Sequence, residues 1–124
     1  MVKKIFEELD GLENIHIRED GDLVLEYLHN KDHDLPNIIF MDINMPKKDG
    51  KETLEHIKNH PDLKHIPVII LSGSQAQNDV LECYKLHANG YLLKAKTIDD
   101  HERIRNAVSN FWFDLAILPI QKSA

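Results

Sequence analysis

Cysteine is nearly missing from this chain: Cys83 stands alone. No intramolecular disulfide and no cysteine-built metal cluster can form, which fits a reducing cytosol. The plain reading of Cys83 is a half-buried helix residue rather than a reactive thiol. Long apolar runs are missing too. None approaches the roughly 18 residues of a membrane span, and the opening MVKKIFEELD is too acidic and too short in apolar run for a signal peptide. A cytoplasmic protein is expected, with no membrane contact. Basic residues are outnumbered, 15 Lys and Arg against 21 Asp and Glu, for a net charge of −6. A nucleic-acid surface needs clustered Lys and Arg, so no nucleic-acid partner is expected. No repeat or low-complexity tract occurs. The 124 residues suffice for one domain with a real core and not for two. Residues 1–124 are read as a single domain, with 114–124 as a C-terminal tail.

Two hydrophobic textures alternate along it. Short continuous apolar runs occur at Ile38–Met41, Val68–Leu71 and Tyr91–Leu93. Runs of this length, rich in branched and aromatic residues, suit strands buried on both faces. A weaker fourth candidate is Ile15-His16-Ile17. Between the runs lie segments with helical spacing. Leu23, Leu25, Tyr27 and Leu28 follow Asp20-Gly21-Asp22, a possible cap. Thr53, Leu54 and Ile57 come next, ended by Asn59-His60-Pro61. Val80, Leu81, Tyr84 and Leu86 form a third helix, with Ser74 or Gln75 near its start and Asn89-Gly90 as its stop. The last runs from about Asp99 to Phe113, with Thr97 as its cap.

Strand–helix–strand alternation with these connections implies parallel strands joined by right-handed crossovers, with helices over both sheet faces. In such open sheets, sites form at the carboxyl edge of the strands. The residues just past the three runs are Asp42, Ser72 and Lys94. A carboxylate can attack phosphorus and form an acyl phosphate. A serine hydroxyl can donate to a phosphoryl oxygen, and Gly73 beside it leaves room for a ligand. A lysine supplies a point charge for either partner. Each residue alone reads as a cap or a solvated turn position. The functional case rests on all three standing at equivalent places on successive strands.

These residues carry a resemblance. The stretch MDINMPKKDG, residues 41–50, with a serine 30 residues after Asp42 in IILSGS and a lysine 52 residues after it in NGYLLKAK, resembles the receiver domains of two-component response regulators. The segments PDLKHIPVIILS, CYKLHANGYLLK and FWF are similar to small single-domain receivers related to regulators of bacterial phytochromes. The resemblance covers about residues 5–113. It implies a flavodoxin-like, doubly wound α/β fold around a parallel sheet. It further implies Asp42 as phosphoacceptor from a histidine kinase, which could be of phytochrome type, and the Asn44 backbone carbonyl together with Asp42 as Mg²⁺ ligands. Ser72 would bind the phosphoryl group, Lys94 would neutralise charge and Tyr91 would be an aromatic switch following Ser72. A phosphoryl group adds ~1.5–2 negative charges at one spot, and nearby donors rearrange around it. For Tyr91, core packing beside Gly90 is an equal reading.

Two features depart from the family pattern. Receivers open with an apolar strand followed by adjacent acidic residues that hold Mg²⁺. Counted back from Asp42, these fall before Met1. VKKIFEEL then corresponds to the first helix and GLENIHI to the second strand, giving an N-terminally shortened sheet without the acidic pair. Glu7 and Glu8 would replace that pair only if residues 2–6 formed a strand, and too few residues follow for a crossover. Three accounts stay open: a truncated product, a strand borrowed from another chain in a swapped dimer, and a hairpin turning at Asp10-Gly11. The second departure is Ala95, where the family places a proline after a cis bond. A cis bond before alanine costs about 2.5–4 kcal/mol, so a trans bond or a strained loop is expected, with Lys94 re-aimed. Lys96 reads as a solvated lysine.

Eight histidines raise the question of a metal. His56 and His60 have i,i+4 spacing, with His65 nearby, but no acidic ligand completes a motif. Surface histidines are the simpler reading. The apolar tail, with Trp112, Phe113, Leu115, Ile117 and Leu118, either folds back or forms a homodimer contact together with the last helix. Function divides three ways. The first is a phosphorylation-controlled receiver that is not an enzyme. The second is a phosphorylation-incompetent pseudo-receiver that only binds proteins or dimerises. The third, an aspartate-nucleophile phosphatase, is disfavoured by Asn44, which cannot exchange a proton as general acid.

Overall fold

The computed structural model describes residues 21–30, 35–43 and 50–119. The expected first helix, the strand candidate Ile15–Ile17, Glu7, Glu8, Asn44 and the end of the tail lie outside the described residues. The elements are α1 (Gly21–His29), β1 (Ile39–Asp42), α2 (Gly50–Asn59), β2 (Val68–Ser72), α3 (Gln77–Lys85), β3 (Gly90–Leu93) and α4 (Ile98–Val108). The chain divides into two compact units. Residues 21–93 and Pro119 belong to one; residues 94–118 belong to the other.

In the first unit the three apolar runs pair as a parallel sheet in the order β1-β2-β3. Ile39 stands opposite Val68 and Asp42 opposite Leu71; Ile69 stands opposite Gly90 and Ser72 opposite Leu93. All five residues of β2 are buried, as its unbroken run of branched side chains requires of a central strand. One core joins Leu28 of α1, Met41 and Ile43, Leu54 and Ile57 of α2, Leu63, Ile66, Val68, Ile70 and Cys83 of α3. Cys83 is fully buried rather than half-buried, and burial pushes its thiol pKa up. That disfavours the reactive thiolate.

The amino ends of the strands are tied by side chains. Asn89 Oδ1 accepts from the Val68 N–H at 2.9 Å and from Lys58 Nζ at 2.9 Å. Lys58 Nζ also donates to the Ile66 carbonyl at 2.8 Å. This use of Asn89 corrects the expected helix stop. α3 ends at Lys85, and the left-handed residue is His87 with φ 72°. Asn89-Gly90 instead starts β3, with Gly90 packed close to Ile69.

The second unit holds α4. Thr97 caps it as expected, its side chain accepting from the Asp100 N–H at 3.1 Å, while Asp100 accepts in return from the Lys96 N–H. This is close to a capping box. The helix does not run regularly to Phe113. It ends at Val108 and continues as a π-helical turn, Ser109–Leu115. Phe111 and Trp112 stack edge to face there, and Phe111, Leu115 and Ile117 are exposed. Among the described residues no helix is long and apolar enough to cross a membrane.

Candidate functional site

Asp42 closes β1, half-buried, at the carboxyl edge of the sheet. The residue that fixes the backbone there is Gly50, eight positions later. Its N–H donates to the Ile43 carbonyl at 2.9 Å. A Cβ on Gly50 would stand 2.3 Å from Ile43 Cα and 2.5 Å from the Asp42 carbonyl oxygen. Glycine is required because two backbones touch. Gly50 of the motif thus returns the chain onto the end of β1 and starts α2.

Ser72 closes β2 one step further along the register than Asp42, since Asp42 stands opposite Leu71. Side chains alternate along a strand, so the two residues share an edge of the sheet rather than one of its faces. Ser72 is fully buried, and its Oγ accepts from the Ser74 N–H at 3.0 Å. Its own proton can still be donated. No atom lies within 4 Å of the place a Gly73 side chain would fill, so the backbone beside Ser72 is open.

Ser74 is the residue that sequence reasoning missed, having placed it only near a helix start. Its Oγ donates to Asp79 Oδ2 at 2.7 Å and accepts from the Ala76 N–H at 3.2 Å. Its carbonyl accepts from the Tyr91 hydroxyl at 2.9 Å. Tyr91 also packs against the core, so its ring and its hydroxyl have separate roles. Lys51, the residue after Gly50, was likewise unmarked. Its ammonium pairs with Asp79 at 3.0 Å and with Glu82 of α3. The available signal was the position of Lys51 beside the glycine of the motif and of Ser74 two residues past Ser72.

Lys94 follows directly on Leu93 and opens the second unit, half-buried. No peptide bond among the described residues is cis, so Lys94–Ala95 is trans as the alanine demands, and Ala95 is buried. Asn44 lies outside the described residues. Mg²⁺ usually takes one or two carboxylates with waters and phosphoryl oxygens completing an octahedron, and Asp42 at its strand end fits as one such carboxylate. Among the described residues no group of three or more His, Cys, Asp or Glu is placed to hold a metal ion. The histidines nevertheless gather: His29 and His56 approach to 2.9 Å between their Nε2 atoms, and the His60 ring centroid lies 5.1 Å from that of His29. His29 joins His56 and His60 from a different helix, so sequence spacing could not place it there.

The family model for the response regulator receiver domain matches residues 1–109. The chain is 44% identical over 84 residues to response regulator Rcp1 of Synechocystis, a stretch that covers 68% of this chain and 57% of Rcp1. Its fold superposes on the phosphorylated cyanobacterial phytochrome response regulator RcpA with a TM-score of 0.87 at 33% identity, covering 96% of this chain and 90% of RcpA. The Mn²⁺-bound form of Rcp1 gives 0.86 at 34% identity, covering 96% and 88%.

Proposed function

The chain belongs to the response regulator receiver family of two-component signalling, and from that premise we propose that Asp42 accepts a phosphoryl group from the phosphohistidine of a partner histidine kinase. The domain is a signalling module rather than a classical enzyme. In the proposed reaction an Asp42 oxygen attacks phosphorus in line with the leaving nitrogen. A P–O bond forms and the P–N bond breaks. The electron pair returns to the imidazole, which takes up a proton. The likeness to phytochrome response regulators supports a kinase of phytochrome type.

One observation carries this reading. Asp42 ends a half-buried strand at the carboxyl edge, with Gly50 holding the backbone beneath it and Ser72 ending the neighbouring, fully buried strand. Ser72 then donates to the transferred group and Lys94 neutralises it. The Tyr91 hydroxyl, bonded to Ser74 in this state, follows the loop. The binding of Mn²⁺ by Rcp1 supports a divalent ion held by Asp42 and the Asn44 carbonyl. When bound, the ion supplies positive charge against the phosphoryl oxygens. Residues 1–124 act as one receiver domain in this reading, with 114–124 as its tail. A homodimer through the last helix and tail, or through an exchanged N-terminus, remains part of the proposal.

Labelling tests it. With magnesium and acetyl phosphate, the intact mass should rise by one phosphoryl group, and Asp42→Asn should abolish the rise. A wild-type chain that never labels would establish the pseudo-receiver reading, for which the alanine after Lys94 is the favouring observation.

A further inference from the structure

The Lys51 ammonium bridges two helices for a reason that the phosphoacceptor reading does not supply. Gly50 is locked onto the backbone of Asp42 and Ile43, so Lys51, the next residue, is anchored to the end of β1. Its side chain reaches Asp79 and Glu82 on α3. Asp79 in turn uses its second oxygen to accept from Ser74 Oγ. Ser74 then contacts both switch candidates, through its N–H to Ser72 and through its carbonyl to Tyr91. Gly50 hydrogen-bonds the Ile43 carbonyl next to the phosphoacceptor, and from the adjoining Lys51 a chain of polar contacts runs through Asp79 and Ser74 to Ser72 and Tyr91.

We propose that Lys51 is a positioning residue, a latch that holds the loop Gly73–Ala76 in its unphosphorylated arrangement through Asp79 and Ser74. The proposal rests on Asp42 as phosphoacceptor and names a regulation of that site. For Ser72 to move toward a phosphoryl group, the Ser74 N–H must release its Oγ or travel with it. Travelling stretches the Ser74–Asp79 contact that Lys51 steadies. The directions of titration agree. The Asp79 carboxyl is held below the ordinary carboxylate range, first by the Ser74 hydroxyl and then by Lys51. The Lys51 ammonium is pushed up, first by Glu82 and then by Asp79. The lysine and Asp79 side chains are each about one-third exposed, at 31% and 33%. An ion pair this accessible is modest and weakened by salt, which suits an adjustable latch rather than a rigid brace.

The test uses the full chain and two variants. Lys51→Met removes the charge and keeps the length; Lys51→Arg keeps both carboxylates within reach. Labelling by acetyl phosphate should be about two- to fivefold faster in Lys51→Met, because an exposed pair shifts a two-state loop by no more than that. Lys51→Arg should return close to the wild-type rate. In the unlabelled chain the Ser74 amide resonance should move in Lys51→Met and not in Lys51→Arg, a readout that general destabilisation does not imitate. If wild type labels on Asp42 while Lys51→Met matches it in rate and in the Ser74 resonance, the latch is overturned and the phosphoacceptor stands. If wild type does not label, the phosphoacceptor fails and its regulation with it.

Discussion

Gly50 shows what a single residue decides here. Its hydrogen atom occupies the space where any side chain would meet Ile43 Cα and the Asp42 carbonyl. Neither neighbour is a flexible side-chain tip, so the backbone itself must give. Gly50→Ala is expected to lower stability by about 1–3 kcal/mol, read from urea unfolding, and to slow labelling of Asp42 as the strand end shifts. Gly90 offers a contrast, because the atoms it faces belong to the Ile69 side chain. At this scale the sequence was informative where a residue type answers a backbone need, as with Gly50 and Thr97. It was misleading at Asn89-Gly90, whose composition is that of a helix stop. The Asn89 side chain is spent instead on the Val68 N–H and on Lys58, partners 21 and 31 residues away that no local pattern can reveal.

Among the elements, β2 was the most legible, since a run of four branched apolar residues in a parallel sheet has few other fates. α2 followed from its apolar spacing, with Leu54 and Ile57 wholly buried; in α3 the spacing misled, since Leu81 and Tyr84 are exposed and Cys83 is the buried residue. The π-helical turn after Val108 was not legible, because Phe111, Trp112 and Phe113 satisfy an α-helical pattern equally well. The bridge from α2 to α3 was also hidden. Lys51, Asp79 and Glu82 are ordinary surface charges until the fold brings them together. Its pH dependence follows from the directions of the two shifts. Asp79, lowered, contributes stability above the unfolded carboxylate value of ~3.9, and this is lost as pH falls through its folded value. Lys51, raised, contributes below the unfolded value of ~10.4, and this is lost as pH rises through its folded value. The stability gap between wild type and Lys51→Met should therefore be constant across neutral pH and close below about pH 4 and above about pH 10. Urea unfolding at several pH values checks this; a gap that peaks in acid would refute the pairing.

For the whole molecule, the alternation of strands and helices carried the fold class, and three strand ends marked the edge where function would sit. The parallel order β1-β2-β3 agrees with that reading. What the sequence could not supply was how the residues at the edge relate. Asp42 and Ser72 share an edge and stand one step apart in register, and Ser72 is linked to Tyr91 through Ser74 rather than directly. The chemistry claimed for this edge is the formation of an aspartyl phosphate at one defined carboxylate. Chemical trapping measures that directly. The chain is incubated with magnesium and acetyl phosphate and then reduced with borohydride, which converts an aspartyl phosphate to homoserine. Peptides are then sequenced by mass spectrometry. Homoserine in place of Asp42, and of no other aspartate, is the predicted result. Conversion at a different aspartate, or an unmodified Asp42 in a labelled chain, would contradict the account.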